Sequence, residues 1–286
     1  SPVPHNGQNP NGVWNLYIVD DYANDAGSLI SWSITFGTNI GHAFTFPSSN
    51  LPIIKINTLG QAIPDEPKIN ARIQIIDNGA GIRNYVNDTV YAFDGHIGIE
   101  VRGQSSQMFP MKSYSVELWN SSGNSINSSL FNMPSESDWV LYAPYNDKTL
   151  MHNFLAYSIS QQMGHWAAHC RYVELVINNE YKGIYVFMEK IKRKASRVNV
   201  PSMSSTDNTG DAVTGGYIFK HDYPDVGWNS QYSAQPCNTP YQFNFEYPSD
   251  NNIVPKQANY IQHYLDTIEK RLNSPLVNDS IKGYRK

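Results

Sequence analysis

A stretch that ends a strand on Arg102-Gly103, opens into Gln104-Ser105-Ser106 and returns through Phe109-Pro110 to Lys112 has the parts needed to wrap a phosphate. Exposed backbone N–H groups and hydroxyls supply donors, and a fixed cation at each end offsets the charge. There is no Gly-Lys-Ser/Thr and no helix directly behind, so this is not a Walker loop. Arg102 is equally suited to a structural ion pair. A second polar group, Glu189-Lys190-Ile191-Lys192-Arg193, extends an apolar run, and such cations usually mark a solvated strand end. Asp147 precedes apolar residues at helical spacing, where a carboxylate accepts hydrogen bonds from the first turn and suits the helix dipole. Trp139 and Tyr145 read as core.

Other constellations carry less. His165 and His169 are four apart but follow Gly164, a helix stop, and lack a third ligand for zinc. His221-Asp222 has no serine in a nucleophile elbow. Cys170 and Cys237 can form one bridge in an oxidising compartment or sit as two buried thiols, and their spacing fits neither zinc nor a redox pair. Asp20, Asp21 and Asp25 crowd a turn that can ligate calcium or simply face water. Tyr217, Phe219, Tyr223, Trp228 and Tyr232 can pack a core, stack an adenine or line a carbohydrate groove.

The elements that must hold these groups are mostly strands. Residues 14–18 and 30–36 alternate around Asp25-Ala26-Gly27 as a β-hairpin that needs a sheet to join. Residues 41–50 read as a linker, leaving 1–40 and 51–286 as separate domains. Within the second, 51–57 and 68–76 alternate as strands around Pro64-Asp65-Glu66-Pro67, and 97–101 and 113–118 bracket the phosphate-type loop. Residues 148–164 place Leu150, Met151, Phe154, Leu155, Ile159 and Met163 at helical steps, which predicts a helix. A hairpin follows over 171–188 across Asn178-Asn179-Glu180. Residues 201–210 read as a mobile surface loop, 215–221 as a short strand, and 257–272 as an amphipathic helix. The fold class is α+β.

Of the 286 residues 40% are hydrophobic, enough for a core, yet only 16% are charged, against about 25% in ordinary soluble proteins. A net charge of -4 argues against nucleic-acid binding. No apolar run approaches the length of about 18 residues that a membrane span needs, and no basic-then-apolar signal opens the chain, so any export signal is removed or lies upstream. Asn87, Asn120, Asn127 and Asn278 head Asn-x-Ser/Thr sequons, which matter in a eukaryotic secretory route. Asp88-Thr89-Val90 and Asp279-Ser280-Ile281 are similar to the O-glycosylation signal of exported Bacteroidota proteins.

Three runs, IEVRGQSSQMFPMKSYSVEL, SDWVLYAPYNDKTLMHNFLAYSI and VELVINNEYKGIYVFMEKIKR, resemble the CotH family of atypical protein kinases. Its RGxSSxxFPKKSY pattern is matched by Arg102, Gly103, Ser105, Ser106, Phe109, Pro110, Lys112, Ser113 and Tyr114, with Met111 in place of a frequent Lys. In its DWVLxAPYxDKxLxRN run, His152 stands where Arg is usual. The resemblance spans roughly residues 51–272. It implies a kinase-like N-lobe with part of a C-lobe, ATP and Mg as cofactors, and Arg102, Ser105, Ser106 and Lys112 at the triphosphate. It also implies that Glu189 or Lys190 faces the nucleotide. The activity implied is ATP-dependent Ser/Thr phosphorylation of protein partners by a secreted or cell-surface bacterial protein. The family's catalytic and metal-holding aspartates are expected beyond residue 286, so this chain alone is not expected to transfer phosphate. The rival reading is a non-catalytic structural or adhesion component of the cell surface on the same scaffold. Residues 1–40 resemble the closing hairpin of the P/Homo B domain, a jelly-roll β-sandwich.

Overall fold

Isoleucines two residues apart set the first long strands, because alternate side chains of an extended chain share one face. The computed structural model describes residues 46–221, 227–234, 239–275 and 278; the hairpin read at 14–36 lies outside them. In chain order the elements are β1 (Ser48–Ser49), β2 (Ile53–Asn57), β3 (Ile69–Ile76), β4 (Asn84–Tyr85), β5 (Phe93–Arg102), β6 (Ser113–Trp119), β7 (Asp138–Tyr142), α1 (His152–Gln162), β8 (Cys170–Ile177), β9 (Glu180–Glu189), β10 (Ile218–Lys220), β11 (Gly227–Ala234), β12 (Thr239–Tyr247) and α2 (Pro255–Leu272). Strands and helices are both present, as an α+β chain requires.

Seven strands close a barrel in the order β2-β3-β5-β6-β7-β9-β8. Every pair is antiparallel except β2 with β8, which close the ring in parallel. Closure leaves the barrel itself no strand edge, a state that protects against edge-to-edge association. Ile54, Ile56, Ile73, Ile75, Ile97 and Ile99 fill the interior with Trp139 and Phe187, whose rings stack 5.1 Å apart. Each fully buried isoleucine contributes about 1.5–3 kcal/mol by leaving water. At the β8–β9 turn Asn178 and Asn179 adopt φ of 50° and 65°, the left-handed geometry that matches a tight hairpin.

The sequence predicts a helix over 148–164, and α1 occupies only 152–162. Leu150 takes a φ of 61°, which no helical residue adopts, so the turn before it stays separate. The apolar spacing there does not mark a buried face. Met151, Leu155, Ile159 and Met163 point to solvent, at 47–68% exposure. The helix instead meets the barrel wall through Phe154, stacked on Tyr172 at 4.9 Å, and through Tyr157.

Beyond the barrel, β10, β12 and β11 form a three-stranded sheet against α2. Ile261 and Leu265 of α2 pack on Trp228 with Tyr217, Phe243 and Phe245, so Tyr217 and Trp228 of the aromatic stretch supply core there, while Phe219 is exposed and Tyr223 lies outside the described residues. Residues 201–210, read as mobile, are tied to α2 by Gln257, whose amide donates to the carbonyls of Ser204 and Asp207. The end of the stretch read as a linker is also held. Ser48 and Ser49 pair with β4, Arg83 donates to Ser48 Oγ, and Ser49 Oγ donates to the buried Glu174. Among the described residues no helix is long and apolar enough to cross a membrane.

Candidate functional site

Residues 103–112 join β5 to β6 at one rim of the barrel, with a short 3-10 turn over Ser105–Met108. Gly103 is required at the loop's start. Its φ is 98°, and a Cβ there would collide with Ser106 Oγ. The loop braces itself: Gln107 Nε2 donates to Gly103 O and to Asp65 Oδ1, and Lys112 Nζ donates to Gln107 O. Met111, where the family pattern favours Lys, packs against the barrel core.

The two predicted cations flank this loop differently. The Arg102 side chain is exposed and, among the described residues, has no hydrogen bond or ion pair. Arg102 pairs with Ser113, one step off the Val101–Tyr114 pair that packs with the core, and so lies on the outer face. Burial pushes the Tyr157 phenol on α1 upward in pKa, and the nearby charge of Arg102 offsets part of that rise. Lys112 is folded over the backbone of its own loop, and its carbonyl accepts from Tyr185 Oη at 2.9 Å. Ser105 is exposed, while Ser106 is half-buried over Gly103.

Glu189 and Lys190 occupy a different setting. Glu189 has 0% exposure; Oε2 accepts from the His169 backbone N–H and lies 2.7 Å from His169 Nδ1. Its Oε1 faces Arg197 Nε at 3.7 Å. Arg197, itself 1% exposed, donates to the carbonyls of Lys190 and Asp138 and lies over the Trp139 ring. Buried Glu136 completes the group, with Lys194 at 2.7 Å and Lys192 at 3.0 Å, and Lys192 also meets Asp138 at 2.5 Å. The Glu-Lys-Ile-Lys-Arg run is thus a strap fastened to β7 by internal charge pairs. Glu189 is buried while Ile191 and the lysine heads reach water, so the reading of a solvated strand end holds for the residues after Glu189.

Asp147 caps the approach to α1. Oδ1 accepts from Thr149 N and Oγ1, and Oδ2 accepts from His152 N at 2.8 Å. The Thr149 hydroxyl and these N–H groups hold its carboxyl at about 2. Tyr145, expected in the core, instead sits at the rim, 5.3 Å from Phe109 of the loop. Lys148 donates to Tyr145 O at 3.0 Å, with its ammonium 4.8 Å from that ring. Sequence reading missed Lys148 as a rim cation and Arg197 as a buried one. A Lys beside a capping Asp, or an Arg within a basic run, gives no signal of which way it turns.

Two surface cavities lie elsewhere. One of about 290 Å³ is lined by Lys55, Asn57, Arg72, Gln74 and Asn178, and the other, of about 310 Å³, by Ser204, Glu246, Tyr247 and Asn252. Among the described residues no three His, Cys, Asp or Glu side chains cluster as a metal-holding group. Asp65, which contacts the loop, is taken up by Gln107, and Asp147 is taken up by the start of α1. These two carboxylates do not fit as holders of magnesium. The free guanidinium and hydroxyl of Arg102 and Ser105 do fit the phosphates of a nucleotide.

Residues 1–36 match the family model of the proprotein convertase P-domain. No curated protein matches the chain. Residues 99–284, well over half of the chain and including the loop, α1 and the strap, match the family model described as CotH kinase protein; β2 and β3 lie ahead of that match yet complete its barrel. The chain belongs to the CotH kinase protein family.

Proposed function

We propose that this chain supplies the phosphate-binding part of a CotH-type protein kinase, which in the whole protein transfers phosphate from ATP to Ser or Thr of protein partners outside the cytosol. The observation that carries the reading is Arg102: an exposed, unpartnered guanidinium at the foot of a hydroxyl-bearing loop, inside the segment the family model matches. Positioning of the phosphates is the part of phosphoryl transfer that fixed cations and loop donors perform. Arg102 binds from the α1 side, Ser105 and Ser106 donate hydroxyls, and Lys112 exchanges the neutral Gln107 carbonyl for an anionic oxygen. That exchange is favourable because a charge-assisted contact is stronger than one to an amide. Glu189 and Lys190 fix the strap that borders the barrel. The low charge content supports a role outside the cell.

A second reading, a non-catalytic surface component on the same barrel, is favoured by the engagement of Asp65 by Gln107 and of Asp147 by Thr149 and His152. Calorimetric titration of ATP into the whole chain separates the two. The kinase reading expects binding that weakens about tenfold or more in Arg102→Ala. No binding by the unaltered chain, or equal binding by the variant, removes it.

A further inference from the structure

We propose that Lys148 is a further phosphate-contacting cation of this site, held against the loop by Tyr145 and Phe109. The inference rests on the reading of residues 103–112 as a phosphate loop and adds a second wall to it.

After β7 the chain turns through residues 143–151 before α1 begins, and this turn borders the loop. The contact between them is aromatic: Phe109 of the loop lies 5.3 Å from Tyr145, with the rings tilted by 30°. Lys148 folds back on that pair, its ammonium over the Tyr145 ring and bonded to the Tyr145 carbonyl. The interaction orients the side chain without neutralising it, because an aromatic face and an amide carbonyl attract a cation but carry no net charge.

The adjacent acid is committed elsewhere. Asp147 spends one oxygen on Thr149 and the other on His152 N, so it points along the start of α1. Asp65, the other carboxylate at this rim, accepts from Gln107. Elsewhere, Lys68, Arg72, Lys182, Lys192, Lys194 and Lys220 have carboxylate partners, while Lys55, Arg83 and Arg193 bond neutral groups on separate surfaces. Arg102, Lys112 and Lys148 have no carboxylate partner among the described residues, and all three border one loop. Like charges gathered at one rim repel unless an anion joins them. A polyphosphate is the anion that the loop's donors suit, and Lys148 would approach it from the turn of residues 143–151.

The test is calorimetric titration of tripolyphosphate, ATP and adenosine into the whole chain, unaltered and as Lys148→Gln, Lys148→Arg and Tyr145→Ala. Lys148→Gln is expected to weaken tripolyphosphate and ATP about tenfold while leaving adenosine unchanged. Lys148→Arg retains most of the affinity, and Tyr145→Ala loses part of it by freeing the lysine. Lys148 is exposed, so unchanged melting temperatures are expected for its variants. If the unaltered chain binds both polyphosphates and Lys148→Gln binds them equally tightly, Lys148 is a solvated lysine and this inference fails alone. If the unaltered chain binds neither, the phosphate-loop reading fails and this one with it.

Discussion

Arg197 Nε stands 3.7 Å from Glu189 Oε1, and neither side chain reaches solvent. The two atoms lack any closer partner, so each depends on the other's charge. Removing one member of a buried pair strands the other, which is costlier than the pair's own net contribution. Arg197→Ala is therefore expected to destabilise the fold by about 3–5 kcal/mol. Denaturant melts check this, and a loss under about 1 kcal/mol would show that the strap is not held by this pair.

Acid should act on the same cluster through Glu136. Burial by itself would raise its carboxyl, but Lys194, the Ser137 N–H and Lys192 hold it down at about 2, against an ordinary 4.5. A depressed folded value means the stabilisation is complete above pH 4.5 and is lost as pH falls toward 2. Glu136→Gln is expected to lower stability at neutral pH and to flatten the decline across that window. Parallel acid limbs for the two proteins would contradict the assignment.

Much of this fold was legible from period and punctuation. Ile53, Ile54 and Ile56 with Ile73 and Ile75 announced β2 and β3, and Asn178-Asn179 announced its hairpin, because backbone and side-chain preferences agree at those places. Closure of seven strands was not legible, since β2 meets β8 across more than a hundred residues and no local pattern encodes that pairing. Nor was the outward face of α1: Leu155 and Ile159 have the spacing of a core stripe, and only the packing of Phe154 on Tyr172 reveals which side meets the barrel. At the site, the motif located the loop. The facing of Arg102 and Lys112 depended on strand register and on Gln107, which composition cannot supply.

Cys170 is a free thiol, half-buried on the outer wall, where burial and the nearby Glu189 push it up to about 12. Only a thiolate reacts readily with alkylating agents. Cys170 is expected to resist iodoacetamide at pH 8 in the folded protein and to label fully in denaturant. Peptide mapping reads that site separately from Cys237, and rapid native labelling of Cys170 would show that the wall is open.

Gly103→Ala places a methyl group where φ is 98° and Ser106 Oγ already sits. The expected cost is about 1–2 kcal/mol, confined to the loop. Melting should shift little, while amides 103–112 exchange faster and polyphosphate binding weakens. Unaltered binding would mean that loop shape does not matter to the anion.

The most direct test of the proposed site is amide hydrogen exchange on the whole chain with and without saturating ATP. Slower exchange in residues 103–112, with little change near Lys55 and Asn178 or near Ser204 and Tyr247, is the result expected if the β5–β6 loop holds the phosphates. Protection confined to either of those cavities, or none anywhere while ATP is demonstrably bound, would contradict it.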